Sequence, residues 1–190
     1  MSSLLIENKT YKKQNFAEKT LLKATYELCT FINCDFSEVN LSHFTFEECE
    51  FENCNWSNVS LHHTSLKDVS FTNCKLLGVD FSAINPFLVV LNFTSCQLNY
   101  ASFYQLKLKG IRFQTCNLQE VDFTETNLEA ALFSECNLVG AIFEQTNLTK
   151  ANFLTAINYQ IHPDQNNIKA AKFSLQGVAG LLSHYQIEIL

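Results

Sequence analysis

Residues 93–153 read FTSCQLNYASFYQLKLKGIRFQTCNLQEVDFTETNLEAALFSECNLVGAIFEQTNLTKANF, and their spacing sets the architecture. Phe93, Leu98, Phe103, Leu108, Phe113, Leu118, Phe123, Leu128, Phe133, Leu138, Phe143, Leu148 and Phe153 recur at every fifth residue without a break. Two places before each centre stands a smaller apolar or compact residue, as in Cys116-Asn117-Leu118 and Ala141-Ile142-Phe143. A period of five is neither the 3.6 of a helix nor the 2 of a strand. It marks a repeat architecture, in which each unit buries its apolar side only against its neighbours.

Upstream, the same register runs through Phe16, Leu21, Tyr26, Phe31, Phe36, Leu41, Phe46, Phe51, Trp56, Leu61, Leu66, Phe71, Leu76 and Phe81. That is fourteen units over residues 14–83; a two-residue slip at Ile84-Asn85, beside Pro86, leads to fourteen more over 86–155, centred from Leu88. Fifteen of the seventeen Phe occupy centres, counting Phe173, which makes them core. All eight Cys (Cys29, Cys34, Cys49, Cys54, Cys74, Cys96, Cys116, Cys136) lie two residues before a centre. Cys34, Cys54 and Cys74 are twenty apart, as are Cys96, Cys116 and Cys136, while Cys74 and Cys96 are twenty-two apart. The slip therefore reads as a bulge inside one continuous domain. Asn or Asp before a centre (Asn117, Asp122, Asn127, Asn137, Asn147) suits a corner closed by a local side-chain bond. Residues 1–13 are expected to cap the open end and residues 156–173 to form an irregular last coil. Residues 174–190 are expected to form a short helix capped by Ser174, with Leu175, Val178, Leu181 and Leu182 on one side, closing the stack or pairing with a second copy.

This pattern resembles the pentapeptide-repeat family, whose motif is A(D/N)LXX with Leu or Phe at the centre. The resemblance implies an all-β solenoid: a right-handed parallel quadrilateral β-helix with four pentapeptides to the turn. The length, unbroken coil, Phe-rich centres and C-terminal segment are also similar to the Qnr-type quinolone-resistance proteins. Those are rod-shaped dimers whose negative surface mimics duplex DNA and engages DNA gyrase or topoisomerase IV. The resemblance implies a protein partner here, with those enzymes as the leading specific expectation. Some Qnr-type members carry two long projecting loops, whereas this chain has only the bulge.

Composition narrows the function classes. Over 190 residues, 47% apolar and 17% charged content excludes disorder, and a net charge of -6 with Arg112 as the sole arginine argues against clamping nucleic-acid phosphates. No apolar run is long enough to cross a bilayer, and the N-terminus lacks a basic, apolar leader, so a cytoplasmic protein is expected. Nucleotide, hydrolase and zinc-protease motifs are missing, and the carboxylates are scattered, so no enzyme activity and no cofactor are expected. His43 and His63 stand twenty apart with His62 adjacent, but no convincing third ligand joins the pair, so no metal is expected. The cysteines read as small buried hydrophobes rather than disulfides.

Surface charge is the remaining functional signal. Between Lys23 and Lys67 stand seven acids and no base: Glu27, Asp35, Glu38, Glu47, Glu48, Glu50 and Glu52. Between Arg112 and Lys150 stand six more: Glu120, Asp122, Glu125, Glu129, Glu135 and Glu144. The charge supports two readings: an anionic rod for a cationic DNA-binding groove, or a scaffold for an unrelated protein partner.

Overall fold

The computed structural model describes residues 4–185 and 187–188. Each five-residue unit turns its centre and the residue two before it inward, and its other three residues outward. The last of these turns the corner with a left-handed backbone, as at Asn33 (φ 54°), Asn53 (φ 53°), Asn73 (φ 54°) and Glu120 (φ 53°). The residue before the centre braces the same corner. Asn117, Asp122, Asn127, Asn137 and Asn147 each accept, through Oδ1, the amide N–H two residues on, at 2.8–3.4 Å. That bond satisfies a donor the corner would leave unpaired.

Four units close one square turn, and successive turns pair in parallel. On the first face, β1 (Leu5–Glu7), β3 (Thr25–Glu27), β5 (Thr45–Glu47) and β7 (Ser65–Lys67) form a four-stranded sheet. The second face carries nine strands: β2 (Thr10–Lys12), β4 (Thr30–Ile32), β6 (Glu50–Glu52), β8 (Val69–Thr72), β9 (Leu91–Thr94), β10 (Arg112–Gln114), β11 (Leu132–Ser134), β12 (Asn152–Phe153) and β13 (Lys172–Phe173). Single bridges join the other two faces, one running Asn15–Asp35–Asn55–Lys75–Gln97–Asn117–Asn137–Ile157 and the other including Asp80–Ser102–Asp122–Ile142. Above β7 the first face continues as Lys107–Asn127–Asn147–Asn167.

The interior is a column of rings. Tyr11, Phe31, Phe51, Phe71, Phe93, Phe113, Phe133, Phe153 and Phe173 stack face to face with centroids 4.6–5.3 Å apart. A second stack, Phe81, Phe103, Phe123 and Phe143, meets the first edge-on. Stacked and edge-to-face pairs are both favoured by the ring quadrupole, and each fully buried Phe contributes about 1.5–3 kcal/mol.

Three expectations give way. Residues 4–13 are not a separate cap: β1 and β2 pair in register with β3 and β4, so they are themselves the first coil, with Ile6 and Tyr11 half-buried at centre positions. Residues 1–3 lie outside the described residues. The slip does not fall at Ile84-Asn85 either. Asn85 still bonds Ser65 twenty residues back, with Nδ2 to Oγ at 3.1 Å, and Ile84 is buried, whereas Val69 pairs with Leu91. The two extra residues are taken up over 86–90, where Phe87, Leu88 and Val90 stand 66%, 60% and 51% exposed and only Val89 packs against the core. Leu88 is therefore not a core centre.

At the C-terminus, Ser174 Oγ does accept the Gly177 amide at 3.0 Å, but the chain then makes two 3-10 turns, Val178–Leu181 and Ser183–Tyr185, instead of an α-helix. Residues 186 and 189–190 of the expected helix lie outside the described residues. Gly177 and Gly180 explain the tight turns. A Cβ on either would overlap Tyr159, whose ring and carbonyl close the last coil, so the segment is pressed too tightly onto that residue to wind as a helix. Gly180→Ala is expected to lift this turn off, costing about 1–3 kcal/mol locally. Faster hydrogen exchange at 178–185, with exchange in the central strands unchanged, would register it.

Candidate partner-binding surface

The acids do not share one face. Glu27, Glu47 and Glu48 lie on the first face or its corner, and Glu50 and Glu52 flank buried Phe51 on the second. Asp35 and Glu38 belong to the third face, which also carries Glu120 at its corner. Asp122 and Glu125 sit on the fourth, and Glu129 returns to the first. Vertical register then decides which of them stay free. Glu47 lies directly beneath Lys67 and pairs with its Nζ at 3.1 Å, and Glu129 lies above Lys109 and pairs at 3.0 Å. Asp35 and Asp122 spend one oxygen on the amides of Ser37 and Thr124 at 2.9 and 2.8 Å. Glu125 accepts from Gln105 Nε2 at 2.9 Å and Tyr104 Oη at 3.4 Å. No base pairs with Glu27, Glu48, Glu50 or Glu52, although Glu52 accepts from Asn53 Nδ2 at 3.3 Å; Glu48, Glu50 and Glu52 are exposed and Glu27 is half-buried, while exposed Glu38 stands apart at the corner of the third face. Glu27, Glu48, Glu50 and Glu52 converge on the edge between the first and second faces within two coils.

On the same first face the Pro86–Val90 bulge presents its apolar tip, with Lys67 one coil below and Lys107 and Lys109 one coil above. The fivefold pattern hid this feature by counting Leu88 as a centre.

Of the C-terminal residues assigned to a cap or dimer contact, Leu181 is buried, Leu182 is half-buried, and Leu175 and Val178 are 90% and 39% exposed. His43 and His63 stack with centroids 5.3 Å apart and His62 lies 5.8 Å from His63, but the described residues contain no cluster of three or more metal ligands. No described helix is long and apolar enough to cross a membrane.

All eight cysteines are buried and free. Burial pushes the Cys49 thiol up to about 12. Residues stacked by pure translation have their Cβ atoms as far apart as the strands, about 4.8 Å, which exceeds the roughly 3.5–4.5 Å of a disulfide. Treating the folded protein with diamide is therefore expected to leave the thiol count, read by mass after denaturing alkylation, at eight.

Comparison with known proteins agrees with this architecture. The family model described as "Pentapeptide repeat region" matches residues 24–87 and 84–153. Among solved structures, the chain is similar to HetL, a pentapeptide-repeat protein involved in heterocyst differentiation regulation in the cyanobacterium Nostoc sp. strain PCC 7120. The identity is 15%, the coverage 93% of this chain and 89% of that one, and the TM-score 0.56. Trypsin-treated QnrB1, a plasmid-mediated fluoroquinolone resistance protein, is 19% identical over 97% of this chain and 99% of its own, with a TM-score of 0.45. A pentapeptide-repeat protein from the Arabidopsis thaliana thylakoid lumen is 26% identical over 53% of this chain and 70% of its own, with a TM-score of 0.38. No curated protein matches the chain. The HetL likeness shows the fold, and the two matched regions span most of the repeat: the chain belongs to the pentapeptide-repeat family.

Proposed function

We propose that this chain is a non-enzymatic protein-interaction rod whose acidic edge docks in a cationic groove of a protein partner, with DNA gyrase or topoisomerase IV as the leading specific partner. The observation that carries it is charge density. Glu27, Glu48, Glu50 and Glu52, which no base pairs, gather along one edge within about two coils, or about 10 Å of rod axis, one charge per about 2.5 Å. That approaches the one charge per about 1.7 Å of duplex DNA, so a groove built for phosphates meets a comparable field there. The interior supports the non-enzymatic reading, because ring stacks fill the space where a pocket would lie. No cofactor or metal takes part in this reading, and the rod contacts a protein rather than nucleic acid.

The test is gyrase supercoiling with titrated protein, with and without a fluoroquinolone. Inhibition at low micromolar protein, or rescue from the drug, is the expected result; silence in both assays excludes these enzymes. The apolar bulge favours a second reading, a scaffold for an unrelated protein, since a mimic of DNA has no use for Phe87 and Leu88. Under that reading Phe87→Ser with Leu88→Ser abolishes partner binding while reversal of the acids leaves it intact. A second copy of this chain is proposed to pair at the C-terminal end, where Leu154, Ile157, Leu175 and Val178 stand exposed. Sedimentation equilibrium of wild type against Leu175→Glu checks this, with a dimer expected only for the former.

A further inference from the structure

The edge between the first and second faces changes sign at the Pro86–Val90 bulge. Below it stand Glu47, Glu48, Glu50 and Asp68, with Lys67 paired to Glu47. Above it Lys107, Lys109 and Arg112 crowd into one coil, Lys150 turns the corner two coils higher, and Lys169 and Lys172 lie on the last coil. All six bases are exposed. Among the described residues, Lys109 alone of the six meets a carboxylate, that of Glu129 at 3.0 Å. The other five repel one another along the edge, so an anion laid over them relieves that repulsion as well as adding attraction.

The bulge between the two stretches is apolar and held in place. Phe87, Leu88 and Val90 are each more than half exposed. Asn85, itself bound to Ser65, accepts the Phe87 amide through Oδ1 at 3.1 Å, and the Val90 carbonyl accepts the Val69 amide at 3.0 Å. Val89 packs inward, and Leu88 turns with a left-handed φ of 58°. With its backbone pinned on both sides, the tip holds its apolar side chains outward before any partner arrives, which lowers the ordering cost of binding.

Two occupants fit this pattern poorly. A nucleic-acid strand carries a phosphate on every residue, so the length that reaches Phe87 and Leu88 also comes up against Asp68 and Glu48 just below. A second copy set antiparallel with bulge on bulge places Lys67 opposite Lys109 and Glu47 opposite Glu129, like against like, because each pair stands equally far on either side of the bulge. A protein segment, by contrast, can be apolar at one end and acidic along the rest.

We propose that the bulge and the basic stretch above it form one docking surface for an acidic segment of another protein. The segment lies along the edge with its apolar side chains on Phe87 and Leu88 and its carboxylates on Lys107, Arg112 and the bases above. From the bulge to the last coil is four coils, about 19 Å, which about six residues of extended chain cover. The inference rests on the reading of the bulge as a protein contact and gives that partner its chemistry. The acids below the bulge take no part in it.

The experiment follows the anisotropy of a fluorescent peptide titrated with the full chain. The probe is about ten residues long, a Leu-Phe-Leu run followed by alternating Asp and Glu, enough to reach from the bulge to the last coil. It is compared with the same acids after a Ser run, with the same apolar run before Lys, and with an oligothymidylate of equal length. The first probe is expected to bind at least about tenfold more tightly than each of the others, and to lose about tenfold when salt rises from about 0.1 M to about 1 M. Lys107→Glu with Arg112→Glu should weaken it at least about tenfold, and so should Phe87→Ser with Leu88→Ser. Lys75→Glu, at an exposed base on the third face, should change it by less than about twofold. The Leu175→Glu chain should sediment as a monomer with or without the base reversals.

A wild type that holds the Ser probe or the oligothymidylate as tightly as the first probe overturns the proposal. So does a mass of the Leu175→Glu chain that falls on base reversal, which makes a second copy the occupant. If the base reversals are silent while the bulge substitutions act, the proposal fails and the bulge stands as a protein contact of other chemistry. If the bulge substitutions are silent, that underlying reading fails with it. The comparison of probes on wild type needs no variant, so a misfolded double mutant does not shelter the idea.

Discussion

Phe113→Ala is expected to destabilise the rod by about 3–5 kcal/mol, the range for deleting a buried aromatic ring that neighbours cannot replace. Phe113 is fully buried and stacks on Phe93 and Phe133 at 5.3 Å on either side, with Phe103 and Phe123 edge-on at 5.8 and 5.9 Å. Its backbone is held in β10 between β9 and β11, so the coils cannot slide together to fill the hole. In a repeat protein each coil is stabilised by the two it touches, and a cavity at mid-rod weakens the link between the halves. Urea unfolding followed by fluorescence of Trp56, in the N-terminal half, and by far-ultraviolet circular dichroism should therefore give coincident curves for wild type. The variant should give curves that separate, with the Trp56 transition the less shifted. Phe87→Ser is the matched control: that ring is 66% exposed, and a surface change of this kind costs within about 0.5 kcal/mol. If the two substitutions cost the same, the ring column is not what holds the rod together.

That contrast also shows what the sequence made legible. The period of five named the inward residues because every coil repeats the same steric problem: a large centre with a compact residue two places earlier. Phe113 and Cys116 could be placed without coordinates for that reason, and the Asn and Asp corners followed from their habit of bonding the amide two residues on. The pattern failed where two apolar residues competed for one place. Ile84 and Leu88 both suit the interior, and counting in fives cannot tell which is expelled; the structure buries Ile84 because Asn85 keeps its bond to Ser65. The first coil was missed because Leu4 and Lys9 stand where a compact inward residue should be, so Ile6 and Tyr11 did not look like centres. At the C-terminus the spacing of Leu175, Val178, Leu181 and Leu182 suggested a helix but could not show the use of Gly177 and Gly180, which is to let Tyr159 approach. One signal lay in plain view unused: Glu47 and Lys67, like Lys109 and Glu129, are twenty residues apart, the same spacing that stacks the cysteines. Read by that spacing, the acidic surface shrinks to the carboxylates no base covers.

Those carboxylates should dominate partner binding. Changing Glu27, Glu48, Glu50 and Glu52 together to lysine is expected to abolish binding to a groove that accepts DNA, because it turns the densest negative patch positive and reverses the net charge from -6 to a positive value. Glu47 is left in place deliberately. Its partner Lys67 would otherwise be released, adding a second positive charge and confusing the reading. The fold should survive, since all four side chains point outward and three are exposed. The first sheet should gain slightly, because Glu7, Glu27 and Glu47 stack in register as like charges, and cross-strand like pairs destabilise by roughly 0.2–1 kcal/mol each. Stability and binding should then move in opposite directions, which a folding defect would not produce. The second signature is salt. Raising ionic strength from about 0.1 M to 1 M shortens the Debye length from about 10 Å to about 3 Å, so wild-type association with gyrase should slow by one to two orders of magnitude. A binding constant indifferent to salt, with the quadruple variant binding as wild type does, would move the contact away from the acidic edge. The apolar bulge at Pro86–Val90 would then be the surface left to explain recognition on the first face.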